Sequence, residues 1–188
     1  MMNKAEIFWN KRAGNFEKNP IKDEQDFLNT IEKVKIYLSE TDTVLDYACG
    51  TGTVSNLIAA SVKEVYAVDI SPKMIAFASE KAAALKIDNI QHSKITLFDD
   101  TLDKAEFDAV LAFNILHLSE NMQEVIQRIS QLLKPGGLLI SSTPCLHRRF
   151  SLMGIVELFL GKLGIVPNLK MPNNSYVMGK TAGFNMST

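Results

Sequence analysis

The chain has 188 residues, 46% of them apolar and 22% charged, with a net charge of -1, which suits one globular domain and excludes a disordered chain. No basic stripe marks a nucleic-acid partner, and two cysteines make neither a disulfide framework nor a CxxC pair. No run approaches the roughly 20 uncharged apolar residues of a membrane span, and the first residues lack a signal peptide's apolar core, so a cytoplasmic location is expected.

The first segment sets Trp9, Ala13 and Phe16 at helical spacing, with Phe8 and Arg12 beside them. This apolar stripe either packs on the domain or forms a lid over a ligand site. Asn19-Pro20 ends it, and a second helix from about residue 23 places Phe27, Ile31, Val34 and Leu38 on one face. From residue 43 strands and helices alternate: strands are predicted at 43–48, 64–69, 90–97, 107–113 and 138–143. The helices between them are expected at 53–62, from Ser71-Pro72 to about Lys86, and after a Ser119 cap with Val125, Ile129 and Leu132 inward. Lys134-Pro135-Gly136-Gly137 is expected to stop the last of these. Residues 150–166 are a mostly apolar helix candidate with Gly154, Glu157, Gly161 and Gly164 on one stripe, either packed or touching substrate or a membrane surface. The polar tail follows, with Gly183-Phe184 as the one hint of a further strand. The prediction is a single domain, with N-terminal helices or a lid at 1–40, a core at 41–145, and the apolar helix and tail at 146–188. Its class is α/β, a parallel sheet with helices on both faces.

The chemistry centres on Asp46-Tyr47-Ala48-Cys49-Gly50-Thr51-Gly52, where a strand, a glycine turn and a helix start follow one another. Such a turn aims backbone N–H groups at a polar ligand beyond the carboxyl end of a sheet. A carboxylate just before the glycines is unwelcome beside a pyrophosphate and suits a ligand carrying a cation.

With Asp69 closing the second strand before Ile70-Ser71-Pro72-Lys73-Met74, the loop resembles that of the class I S-adenosylmethionine-dependent methyltransferases, of the small seven-strand kind. Phe107-Asp108-Ala109-Val110 with Phe113-Asn114-Ile115-Leu116-His117-Leu118 is similar to the family's fourth strand and the loop beyond. The run from Leu132 to Leu139 through Lys134-Pro135-Gly136-Gly137 is similar to its turn into strand five. The resemblance covers roughly residues 5 to 145 and implies a three-layer Rossmann-like fold with S-adenosyl-L-methionine as cofactor. It also implies roles. Gly50 and Gly52, with Ala48 at the family's first loop glycine and Thr51 between them, would approach the methionyl part. Asp46 would face its cationic amino end, Asp69 the ribose hydroxyls, Ile70 and Met74 the adenine, Thr96 and Leu97 the adenine's edge, and Asn114 the methionyl end or the substrate. The family's closing antiparallel strand pair is expected to be missing or incomplete here.

His117 is the candidate base, with loop packing as its alternative. No metal site is expected, since His92 and His147 lack partners at ligand spacing. Cys49 is expected beneath the loop and not as a nucleophile, and Cys145 with His147 makes poor evidence for a thiol enzyme. Asp99 and Asp100 are loop acids or substrate contacts. Methyl transfer to a small-molecule acceptor, an apolar one among the options, is the function implied, because Asn114-Ile115-Leu116 lacks the Asn-Pro-Pro-aromatic pattern of base-amine methylation. Two rivals stand beside it. One is a non-catalytic domain that binds cofactor or partner; the other is an NAD-dependent oxidoreductase, whose third glycine is Ser55 here.

Overall fold

Near-continuous apolar runs bounded by turn residues form strands buried on both faces. The computed structural model describes residues 4–19, 24–102, 106–142 and 179–180, and the helix candidate at 150–166 and Gly183-Phe184 lie outside them. Two helices, α1 (Lys4–Lys18) and α2 (Glu24–Lys35), precede strand β1 (Thr43–Tyr47). There follow α3 (Thr53–Ile58), a 3-10 turn at Ala59–Ser61, β2 (Glu64–Asp69), α4 (Pro72–Ala84), β3 (Ile90–Lys94) and β4 (Phe107–Phe113). A 3-10 turn at Leu116–Leu118, α5 (Met122–Leu132), β5 (Leu133–Ser142) and the two-residue β6 (Gly179–Lys180) complete the described elements.

The sheet runs β3-β2-β1-β4-β5-β6, with the first five strands parallel and β6 antiparallel to β5. Side chains alternate across each strand. Val44 therefore joins Ile31, Val34 and Ile58 on the face covered by α2 and α3, while Leu45 joins Ile129 and Leu132 on the face covered by α5. The three-layer α/β architecture follows. Strand order reverses between β1 and β4, and the crevice beyond their carboxyl ends is where ligands bind in such sheets.

Several boundaries differ from those the sequence predicts. β3 ends at Lys94, three residues early. Residues 95–102 turn away, held by Arg128, whose Nε donates to the Leu97 carbonyl at 3.2 Å and whose Nη2 donates to that of Leu102 at 2.8 Å. The cap of α5 is Asn121, not Ser119: the 3-10 turn at Leu116–Leu118 occupies the chain first, and Asn121 Oδ1 accepts from Glu124 N–H at 3.3 Å. Leu133 is already in β5, opposite Phe107, and Leu138 is opposite Ala109, so Lys134-Pro135-Gly136-Gly137 is a bulge within the strand. Asp108 anchors it, accepting from Lys134 Nζ and from Thr43 N–H, each at 2.8 Å. That is the amino end of the parallel sheet, remote from the crevice.

The close approach that places the site is between α3 and α4. Gly52, at φ 77°, caps α3 in the left-handed region, and a Cβ there would lie 2.8 Å from Ala78 Cβ. Gly52→Ala should lower the free energy of unfolding by about 2–4 kcal/mol, since left-handed strain adds to over-packing. Urea denaturation measures it, and a loss below about 1 kcal/mol would mean α4 moves aside freely.

Candidate active site

The loop leaving β1 turns through left-handed backbone at Ala48 (φ 59°), Gly50 (φ 55°) and Gly52 (φ 77°). An alanine thus stands in a conformation that L side chains resist. The turn is tied down by Cys49 N–H donating to the Val68 carbonyl and Gly52 N–H donating to that of Cys49, each at 3.0 Å. Across the crevice, β4 ends in another left-handed residue, Asn114 (φ 55°), whose N–H donates to the Ser142 carbonyl at 2.7 Å. Non-glycine residues in such conformations persist only where their surroundings hold them.

Asp46, 1% exposed at the end of β1, accepts a short hydrogen bond from Ser55 Oγ on α3. Burial pushes its carboxyl up to about 6, opposed by the Ser55 hydroxyl and reinforced by the charge of Asp69. Asp69, 9% exposed at the end of β2, accepts from Ser71 N–H at 2.8 Å and from Gly50 N–H at 3.1 Å. Its pKa is also raised by burial, against the lowering pull of the backbone N–H groups of Ser71, Gly50 and Ile70.

Both carboxylates open into a cavity of about 830 Å³, within the range of small-ligand sites. The cavity brings together Asp46, Ala48, Gly50, Thr51, Asp69, Ile70, Met74, Asn114 and His117. Gly52 stands behind its wall against Ala78. Thr96 and Leu97 are not among the residues lining the cavity: with β3 ended at Lys94, Ile95 lines it, the Leu97 side chain is 1% exposed in the core, and the hydroxyl of the exposed Thr96 accepts from Phe98 N–H. His117 sits in the 3-10 turn beyond β4, and its buried Nδ1 has no hydrogen-bond partner among the described residues. Burial lowers its pKa, which favours the neutral imidazole. Burial and then the charges of Asp46 and Asp69 drive the Cys49 thiol well up, which favours its protonated form.

Further residues line the cavity, among them Trp9 and Phe16 of the N-terminal stripe. Trp9, Phe16 and Glu17 come from α1, Phe27 from α2, and Phe113, Ile115 and Leu118 from the end of β4 and beyond. Tyr47 also lines the cavity. Lys81 reaches in from α4, on the same helical face as Met74 and Ala78; that spacing was the available signal. Among the described residues, no group of three or more His, Cys, Asp or Glu is placed to hold a metal, and no helix is long and apolar enough to cross a membrane.

Residues 38–163 match the family described as Methyltransferase domain. The chain belongs to the class I S-adenosylmethionine-dependent methyltransferases. Among its relatives, an uncharacterized methyltransferase of Schizosaccharomyces pombe is 34% identical over 104 residues, covering 52% of this chain and 37% of the relative. The ubiquinone biosynthesis O-methyltransferase of Rickettsia typhi is 31% identical over 137 residues, covering 70% of this chain and 54% of the relative. The chain therefore spans about half the length, or less, of these relatives. The N-methyltransferase NodS of Bradyrhizobium japonicum, solved with S-adenosyl-L-homocysteine, shares the fold at a TM-score of 0.62 and 18% identity, over 74% of this chain and 72% of that one.

The methyltransferase domain's own residues fit the family's cofactor. Two buried acceptors, Asp46 and Asp69, suit a ligand that carries cations and hydroxyl donors. A Cβ at Gly50 would meet only the Phe16 ring, at a contact distance of 3.7 Å, so the loop and the α1 aromatic face each other across the mouth of the glycine turn.

The raised pKa of Asp46 has a testable consequence for the free protein. Folding favours its neutral form, so its stabilising contribution is complete below the ordinary value of 3.8 and is lost as pH rises through about 6. Relative to Asp46→Asn, the unliganded wild type should lose stability across that window and run parallel above it. Urea denaturation from pH 4 to 8 checks this; a relative gain with rising pH would contradict the burial argument.

Proposed function

We propose that the domain binds S-adenosylmethionine in the 830 Å³ cavity and transfers its methyl group to a small, largely apolar acceptor. The observation that carries this reading is the division of the cavity wall. Carboxylates Asp46 and Asp69 lie at the ends of β1 and β2, Phe113, Ile115 and Leu118 lie at the end of β4 and beyond it, and Trp9, Phe16 and Phe27 are added by the N-terminal helices. A cationic, hydroxyl-bearing ligand suits the first part, and an apolar acceptor suits the second. The named relatives include an O- and an N-methyltransferase, so the acceptor's apolar character is read from this wall alone.

When bound, the cofactor supplies a methyl group already activated on a sulfonium sulfur. The protein's task is then mainly to position and to exclude water. Asp46 would hold the cationic amino end, and Asp69 would accept from ribose hydroxyls with the oxygen capacity left by Gly50 and Ser71. Ile70 and Met74 would flank the adenine, and Asn114 would meet the methionyl end or the acceptor. The aromatic side chains of α1 make it a lid that keeps water from the reacting atoms. Where the acceptor must lose a proton, the His117 imidazole would receive it, because a lowered pKa leaves it neutral.

Calorimetry with S-adenosylmethionine, S-adenosylhomocysteine and NAD tests the assignment: the first two should bind, and binding of NAD alone would refute it. Cofactor binding without turnover on a broad acceptor panel would turn the reading toward a non-catalytic domain. Asp69→Ala should weaken S-adenosylmethionine binding by about 1–3 kcal/mol, the range for a lost hydrogen bond to a charged group. Unchanged affinity in a folded variant would remove Asp69 from the site. His117→Gln should leave cofactor affinity in place and lower turnover by about 10²–10⁴-fold on acceptors that lose a proton. Equal turnover by variant and wild type would return His117 to a packing role.

A further inference from the structure

We infer that Lys81 recognises the carboxylate of the cofactor's methionyl end, and that Glu17 on α1 competes with that carboxylate for the same ammonium. The inference rests on the cofactor reading above and goes beyond it by assigning a residue outside the glycine loop. Charge is the first ground. Of the ionised groups lining the cavity, Glu17, Asp46 and Asp69 are acids, and Lys81 is the one Lys or Arg among the described residues there. S-adenosylmethionine carries two cationic centres and one carboxylate. The acids answer the cations; a buried anion needs a donor of its own.

Position is the second ground. Lys81 Nζ donates to Thr51 Oγ1 at 3.2 Å and to Thr53 Oγ1 at 3.5 Å, which sets it at the glycine loop. It is also paired with Glu17 Oε2 at 3.0 Å, and both side chains are only about one-third exposed or less, at 32% and 26%. The helix that carries Lys81 is fixed by the contact between Ala78 and Gly52, one turn away, so the ammonium is aimed by the same packing that shapes the loop.

Release of Glu17 need not undock α1. Asn10 Oδ1 accepts from Ser71 Oγ at 2.7 Å and from Lys73 N–H at 3.3 Å, and Glu6 pairs with Lys94 at 3.2 Å. Lys81 can therefore exchange one carboxylate for another while α1 keeps its other anchors. A ligand carboxylate there would join the ammonium to the loop through Thr51 and place α1 against bound cofactor.

The test compares S-adenosylmethionine with S-adenosylmethioninamine, the same molecule without its carboxylate, by calorimetry on the full chain. Wild type should prefer the carboxylated ligand by about 10-fold or more, the effect of a charge-assisted hydrogen bond. Lys81→Met should lose that preference by weakening S-adenosylmethionine alone, with the amine analogue held within about twofold. Lys81→Arg should retain part of the preference, and Glu17→Gln, which removes the competitor, should enlarge it. Thermal melts establish that each variant is folded. Equal weakening of both ligands in Lys81→Met, or a preference unchanged by it, would reduce Lys81 to a tether for α1 and overturn the inference while leaving the cofactor reading intact. Failure of wild type to bind either ligand would overturn both.

Discussion

The Asp69 carboxylate holds two loops in one place, and the rest of the site depends on it. One oxygen accepts from Gly50 N–H in the loop after β1, the other from Ser71 N–H at the cap of α4. Parallel pairing sets Tyr47 opposite Val68, so both loops leave the sheet at the same level and one side chain can span them. An unsatisfied carboxylate buried to this degree would be expensive. Here backbone N–H groups offset much of the cost, and in doing so they require the path that Gly50 takes. The geometry of the cavity is set before any ligand arrives, which is where positioning catalysis draws its advantage.

The same arrangement leaves the free site under electrostatic tension. Burial raises the cost of ionising both Asp46 and Asp69, and the charge of Asp69 raises it further for Asp46. Left-handed backbone at Ala48 and Asn114 adds strain at the ends of β1 and β4, the two strands that flank the reversal of strand order. Local rules are broken together at one point while the strands beneath obey them, the pattern expected where function is traded against stability. A cationic ligand relieves the carboxylates. A further anion would not be welcome without a cation beside it, which is why the placement of Lys81 bears on recognition and not only on packing.

What could be read from the chain beforehand follows the range of each interaction. β1, β2 and β4 are legible because both faces of a parallel sheet demand apolar side chains. Asp46, the glycines and Asp69 are legible because strand, turn and helix succeed one another within a few residues. The cap of α5 was misplaced to Ser119 because a 3-10 turn intervenes without a sequence mark of its own. The bulge at Lys134-Pro135-Gly136-Gly137 reads as a helix stop until the partner, Asp108, is known. Thr96 and Leu97 lie off the cavity lining for a related reason: Arg128, about thirty residues on, holds the chain after β3 by the Leu97 carbonyl. Asn10 to Ser71 and Glu17 to Lys81 span still greater separations, and neither pair announces itself locally.

That division also separates the two halves of the proposed reaction. Under the proposal, cofactor contacts would come mainly from β1, β2 and their loops, where backbone geometry constrains residue type narrowly. The acceptor side would come from α1, α2 and the turn beyond β4, where Trp9, Phe16, Phe27, Ile115 and Leu118 need only be apolar and of suitable size. Such positions tolerate exchange among apolar side chains with small changes in stability, so their identities specify shape more than chemistry. Under the proposed function α1 then has two duties on two faces. Asn10, Glu6 and Glu17 attach it to Ser71, Lys94 and Lys81, and its aromatic residues close the cavity. Because the attachment is polar and distributed over the helix, the aromatic face can change with the acceptor while the helix stays where the cofactor needs it.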